Sequence, residues 1–181
     1  MKVNLAFGKT GLEVALPDSY HYHVLQAHSA QPLDDPRSAL AAALKNPIAG
    51  PSLADLARGK RSAAISICDI TRPAPNALTL PPLLACLEES GIGRDSITIL
   101  IATGLHRAAT PEEIVEICGP QIASEYRVVN HDARNLAAHR YLGQTLSGTP
   151  VYIDERFMAA DLHISLGFIE PHLMAGFSGG R

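Results

Sequence analysis

The 181-residue sequence has no basic run, no long apolar run and few cysteines, and each shortage removes a class of function. The formal net charge is -3 at pH 7 and the lysines and arginines are scattered, so the electrostatic footprint of a nucleic-acid binder is missing. No stretch approaches the ~18 apolar residues of a membrane span. Met1-Lys2-Val3-Asn4 leads into no apolar segment of the kind that opens a secretory signal. Cys68, Cys86 and Cys118 are odd in number, lie far apart and form no C-x-x-C pair, which argues against a disulfide framework or a zinc knuckle. A cytoplasmic protein with free thiols is expected. The general nucleotide motifs, G-x-G-x-x-G and the Walker loop, are also lacking.

What is present is the composition of one ordinary soluble α/β domain, 46% hydrophobic and 18% charged, large enough to bury a core. Val3 to Leu16 alternates around Gly8-Lys9-Thr10-Gly11, the pattern of a hairpin, and Tyr20 to Leu25 predicts a third strand. His21 and His23 would share a face of that strand, but no third ligand accompanies them and no metal site is expected. Pro36 opens one helix and Ser52 caps another. From Ala63 onward strands and helices alternate. Buried strands are predicted over Ala63–Cys68, Ser96–Ala102, Arg127–Asn130 and Leu162–Phe168, and a shorter one over Val151-Tyr152-Ile153. Helices are predicted over Leu78–Ser90, after a Thr110–Glu113 capping box, and over Glu155–Ala160. The expected fold is a single α/β domain over residues 1–181, a mostly parallel central sheet with helices on both faces, preceded by an N-terminal β-hairpin.

The first core strand stops abruptly in Asp69-Ile70-Thr71-Arg72-Pro73-Ala74-Pro75-Asn76, where Asn76 is a candidate helix cap. In an open α/β sheet ligands bind at the carboxyl ends of the strands, so Asp69, Thr71 and Arg72 stand where a ligand would be held. Arg72 can fork onto a carboxylate or phosphate; alternatively Asp69 and Arg72 pair with each other and only tie down the loop. His106, Arg107, His131, Asp132, Glu170 and His172 also follow predicted strands. Histidine is the commonest general acid or base, and His106 and His172 on opposite sides of a ligand would suit reversible chemistry on a substrate with two faces. His131-Asp132 reads as an orienting pair or a polar turn, and His139 has no such setting. Gly176-Phe177-Ser178-Gly179-Gly180-Arg181 has the ingredients of an anion-binding nest.

In order along the chain, Asp69-Ile70-Thr71-Arg72-Pro73, Ala102-Thr103-Gly104-Leu105-His106-Arg107, Asn130-His131-Asp132 and Glu170-Pro171-His172 with its glycine run resemble the lactate racemase family. The resemblance implies a two-domain enzyme using a nickel pincer nucleotide to interconvert the stereoisomers of a small 2-hydroxy acid. On that pattern His106 and His172 match the acid/base histidines and Arg72 the residue that holds the substrate carboxylate. Asp69, Thr71, Ser178, Gly179 and Gly180 fall on the cofactor side. The family's anchoring lysine and later nickel-ligating histidine find no match, so this chain resembles the N-terminal domain alone. It is expected to need a second domain of the same family, and to retain no cofactor and be inactive by itself. The alternative is a non-catalytic anion- or nucleotide-binding module.

Overall fold

Lys2–Leu5 (β1) and Leu12–Ala15 (β2) pair antiparallel, with Lys2 opposite Ala15 and Leu5 opposite Leu12. The chain reverses between them through Gly8 and Gly11 at φ 56° and 78°, backbone that suits glycine. In the computed structural model residues 1–25, 31–173 and 176–179 are described. The hairpin belongs to one compact unit, Met1–Asp34, and the remainder of the chain forms another, Asp35–Arg181. The strand expected over Tyr20 to Leu25 does not form. Tyr22 instead donates its hydroxyl to the Pro17 carbonyl at 2.9 Å, and with no strand there His21 and His23 share no strand face.

The second unit begins with two capped helices. Asp35 accepts from the Arg37 and Ser38 amides to start Pro36–Lys45 (α1), and Ser52 accepts from the Asp55 amide to start Leu53–Ala57 (α2). Strand and helix then alternate through Ala63–Cys68 (β3), Asn76–Glu89 (α3), Ile97–Ala102 (β4), Pro111–Cys118 (α4), Pro120–Glu125 (α5) and Arg127–Asn130 (β5). Next come the antiparallel pair His139–Gln144 (β6) and Pro150–Asp154 (β7), the short Glu155–Met158 (α6) and Leu162–Ser165 (β8). Glu170–His172 (β9) and Gly176–Ser178 (β10) close the chain as a small hairpin. The structure departs from the sequence reading at several points, α5, β9 and β10 being unexpected elements. Asn76 is the buried first residue of α3 rather than its cap, a place taken by Pro75. The last core strand ends at Ser165, three residues early, and β6 has no counterpart among the expected strands.

The central sheet is four-stranded and wholly parallel, in the order β5-β4-β3-β8. Ile65 and Ile67 on β3 and Ile97, Ile99 and Ile101 on β4 are fully buried and form its core with Leu80, Leu84 and Leu87 of α3. Branched residues suit strands covered on both faces. From β3 the chain steps outward to β4 and β5 in one direction, so right-handed crossovers put α3, α4 and α5 on one face. It then returns across the sheet to β8, with α6 against β3 and β4. β3 and β8 therefore flank the point where the winding reverses, the place where open α/β sheets bind ligands. Among the described residues no helix is long and apolar enough to cross a membrane.

Candidate functional site

Register sets the site. Cys68 lies opposite Ala102, so β3 and β4 release their chains at the same level. Each then makes one tight turn: the Arg72 amide donates to the Asp69 carbonyl at 3.2 Å, and the His106 amide to the Thr103 carbonyl at 2.9 Å. The second turn passes through Gly104 at φ 55°, a conformation costly for other residues. On the other side of β3, the Leu166 amide donates to the Ser66 carbonyl at 2.9 Å, carrying Leu166–Phe168 past the end of β8. These three segments, with Ser178 and Gly179, line a cleft of about 540 Å³.

Asp69, only 8% exposed, is its polar centre. One carboxylate oxygen accepts from the Thr71 amide at 3.2 Å and the Thr71 hydroxyl at 2.6 Å. The other meets His106 Nδ1 at 2.6 Å. Burial pushes the Asp69 carboxyl up, but the bonds from Thr71 and His106 outweigh it and hold the group below its ordinary value. An ionised carboxylate can only accept, so Nδ1 carries a proton, and whenever the ring is neutral its lone pair stands on Nε2, the arrangement a general base needs. The His106 side chain is 54% exposed, open to a ligand in the cleft.

Arg72 does not pair with Asp69. Its Nε donates to Glu170 at 2.7 Å and its Nη1 to the Thr71 hydroxyl at 3.3 Å. Thr71, Asp69, His106 and Arg72 thus form one connected set at the carboxyl ends of β3 and β4. Ser178 and Gly179 line the same cleft, and the Ser178 hydroxyl donates to the Phe168 carbonyl at 3.4 Å. Gly180 and Arg181 lie outside the described residues, so the nest expected of the glycine run does too. His172 is half-buried on β9, opposite Gly176, and is not among the residues lining the cleft.

Other rim residues do different work. Arg107 forks onto Glu113 at 2.6 and 2.7 Å, and Glu113 also closes the α4 capping box with Thr110; the guanidinium holds the Glu113 carboxyl down at about 2. Asn130 exchanges two hydrogen bonds with the backbone of Ala109, pinning the loop after His106. His131 meets Asp154 at 3.0 Å through Nδ1, and Asp154, 3% exposed, is also held by Arg156. The nearly buried Thr103 donates to the His131 carbonyl at 2.6 Å and joins this network to the cleft wall. Sequence reasoning missed Asp154 and Arg156, which lie on and beside a strand that was expected but whose partner strand was not. Among the described residues no group of three or more histidines, cysteines or carboxylates is placed to hold a metal ion.

Known proteins resemble this chain in sequence and fold. Residues 7–181 match the family model of the lactate racemase N-terminal domain. A lactate racemase of Thermoanaerobacterium thermosaccharolyticum is 37% identical over 181 residues, spanning 99% of this chain and 42% of that protein. One from Lactiplantibacillus plantarum is 42% identical over 139 residues, 76% of this chain and 32% of that protein. The structure of the T. thermosaccharolyticum lactate racemase apoprotein superposes with a TM-score of 0.83 at 35% identity, covering 98% of this chain and 41% of that one. A Thermotoga maritima protein shares the fold, with a TM-score of 0.60 at 21% identity over 80% of this chain. The chain therefore spans less than half the length of the curated relatives it matches.

Proposed function

From the premise that this chain belongs to the lactate racemase N-terminal domain family, we propose that it is the substrate-binding and acid/base domain of an enzyme that racemises or epimerises small 2-hydroxy acids. The observation that carries the reading is the Asp69–His106 contact of 2.6 Å in the cleft that Arg72 also lines. Arg72 receives the substrate carboxylate on its terminal nitrogens, since Nε is engaged by Glu170. His106 Nε2 takes the hydroxyl proton as the hydroxyl carbon becomes a carbonyl, and Asp69 holds the imidazolium that results. His172 performs the same transfer for the opposite enantiomer, and so must approach the ligand from β9. When bound, a nickel pincer nucleotide would supply the acceptor and donor of the α-hydrogen as hydride. The cleft suits the organic part of such a group, with the Thr71 and Ser178 hydroxyls and the Gly179 backbone in its wall. The described residues offer no ligand set for the metal.

The test is racemisation of D- and L-lactate by the gene's full-length product and by its His106→Ala and His172→Ala variants. Each variant is expected to lose ~100-fold or more in turnover, the scale of a general acid/base group, with little change in melting temperature. Wild-type turnover in either variant removes that histidine from the mechanism. A protein that binds lactate through Arg72 yet racemises no 2-hydroxy acid would be the non-catalytic anion-binding module instead.

A further inference from the structure

Resting on the reading that Arg72 holds the substrate carboxylate, we infer that Glu170 is a positioning residue, the clamp that sets Arg72 and the His172 strand in one register. Glu170 Oε1 accepts from Arg72 Nε at 2.7 Å, and both side chains are about two-thirds covered, at 35% exposed for the arginine and 29% for the glutamate. A guanidinium is a rigid planar fork, so fixing its Nε edge fixes the direction of its terminal nitrogens. Because the Nε edge is occupied, an incoming carboxylate is left the other side of the fork. Thr71 steadies one arm, accepting from Nη1 at 3.3 Å while donating to Asp69. The arginine is therefore held in the same network as His106.

Glu170 also belongs to the strand that carries His172. Successive residues of a strand face opposite ways, so Glu170 and His172 share one face of β9, both half-buried, with the exposed Pro171 between them on the other. β9 is only three residues long and its partner β10 no longer, with Ser178 opposite Glu170. A ribbon this short is marginal by itself and takes its position from side-chain contacts. The Arg72–Glu170 pair joins it to the turn after β3, so one carboxylate places both the substrate's anchor and the strand of the second histidine.

The experiment compares Glu170→Ala, Glu170→Gln, Arg72→Ala and the double variant Glu170→Ala/Arg72→Ala in the full-length protein. Two readouts are used: racemisation of lactate, and lactate binding followed by NMR without turnover. Glu170→Ala is expected to weaken lactate binding and raise KM by about tenfold or more, roughly the loss of one well-placed charge-assisted contact. Glu170→Gln keeps an acceptor for Arg72 Nε and recovers part of that loss. In the Arg72→Ala background removing Glu170 should cost less than about twofold more, because a clamp without its arginine has nothing to position. Fully additive losses, or binding and KM in Glu170→Ala within about twofold of wild type, overturn the inference. If wild type binds lactate but racemises nothing, the proposed activity fails while the binding series still decides the role of Glu170. A wild type that binds no 2-hydroxy acid overturns both.

Discussion

Replacing Asp69 by Asn tests the site at its centre, because the substitution keeps size and shape and changes only which atoms donate. In the native turn both Thr71 donors point at one carboxylate oxygen and His106 Nδ1 at the other. An amide has one acceptor oxygen and one NH2. With two donors on the Thr71 side and one on the His106 side, the oxygen settles toward Thr71 and the NH2 faces the ring. The imidazole must then accept through Nδ1 and carry its proton on Nε2, which is the wrong tautomer for a base. A general base contributes about 100- to 10,000-fold, so kcat should fall at least ~100-fold. The upper scale is that of a serine protease triad, where exchanging the aspartate for asparagine costs about 10,000-fold through the same tautomer inversion. KM should change little, since Arg72 stays clamped by Glu170. Stability should fall modestly. Trading charge-assisted bonds for neutral ones costs about 1–2 kcal/mol. At roughly 2–4 °C per kcal/mol for a protein of this size, that is a few degrees in Tm. Racemisation kinetics, a thermal melt and the ¹⁵N shifts of the His106 ring together decide the matter. A variant with wild-type kcat, or one whose ring still carries its proton on Nδ1, refutes the reasoning.

Two further perturbations follow from the same structure. Asp154→Ala leaves Arg156 and His131 without the carboxylate they share, and should destabilise by about 3 kcal/mol; the low end of the roughly 3–5 kcal/mol expected for a broken buried pair applies because the Arg156 side chain keeps 32% exposure. Urea unfolding measures it, and a loss under about 1 kcal/mol would mean the network is not stabilising. Acid should also unfold the chain through Asp69 and Asp154. Burial raises both carboxyls, but hydrogen bonds from Thr71 and His106, and from Arg156 and His131, leave each below its ordinary value. A carboxyl with a depressed folded pKa contributes stability that is complete above the unfolded value near ~3.9 and is lost as pH falls through the folded one. Stability measured from about pH 7 down to about pH 3 should therefore decline at the acid end. The decline should be shallower in Asp154→Asn, and an identical slope in wild type and variant would dismiss Asp154 as its source.

The order of strands and helices in the larger unit was legible because its signals are local. β-branched runs marked β3, β4 and β5 at or within a residue of their bounds, and the Thr110–Glu113 capping box marked the start of α4. β6 escaped because His139-Arg140-Tyr141-Leu142-Gly143-Gln144 has neither a clean alternation nor a buried face. Its register slips between Tyr141 and Gly143, where Gly143 takes φ 115°. Without β6, Val151-Tyr152-Ile153 had no visible partner, and Asp154 after it drew no notice as the acceptor for His131. The Glu170-Pro171-His172 motif read as loop because a strand of three residues containing proline carries almost no strand signal.

What the sequence left open at the site was the choice of partners, and that choice is made by register rather than by residue type. Asp69 and Arg72 are close in the chain and of opposite charge, so a local pair was a natural alternative. The tight turn that brings the Arg72 amide to the Asp69 carbonyl instead folds Thr71 onto the carboxylate. Level release of β3 and β4, Cys68 beside Ala102, then sets the His106 turn against the second carboxylate oxygen. A shift of one residue in that pairing would turn successive side chains to the opposite face and separate Asp69 from His106. With Asp69 already taken, Arg72 finds its carboxylate on Glu170, far along the chain and beyond the reach of any local pattern. On the proposed reading the acid/base pair and the anion anchor are thus separated by giving each a carboxylate of its own, Asp69 for His106 and Glu170 for Arg72, which turns the guanidinium and His106 Nε2 toward the ligand.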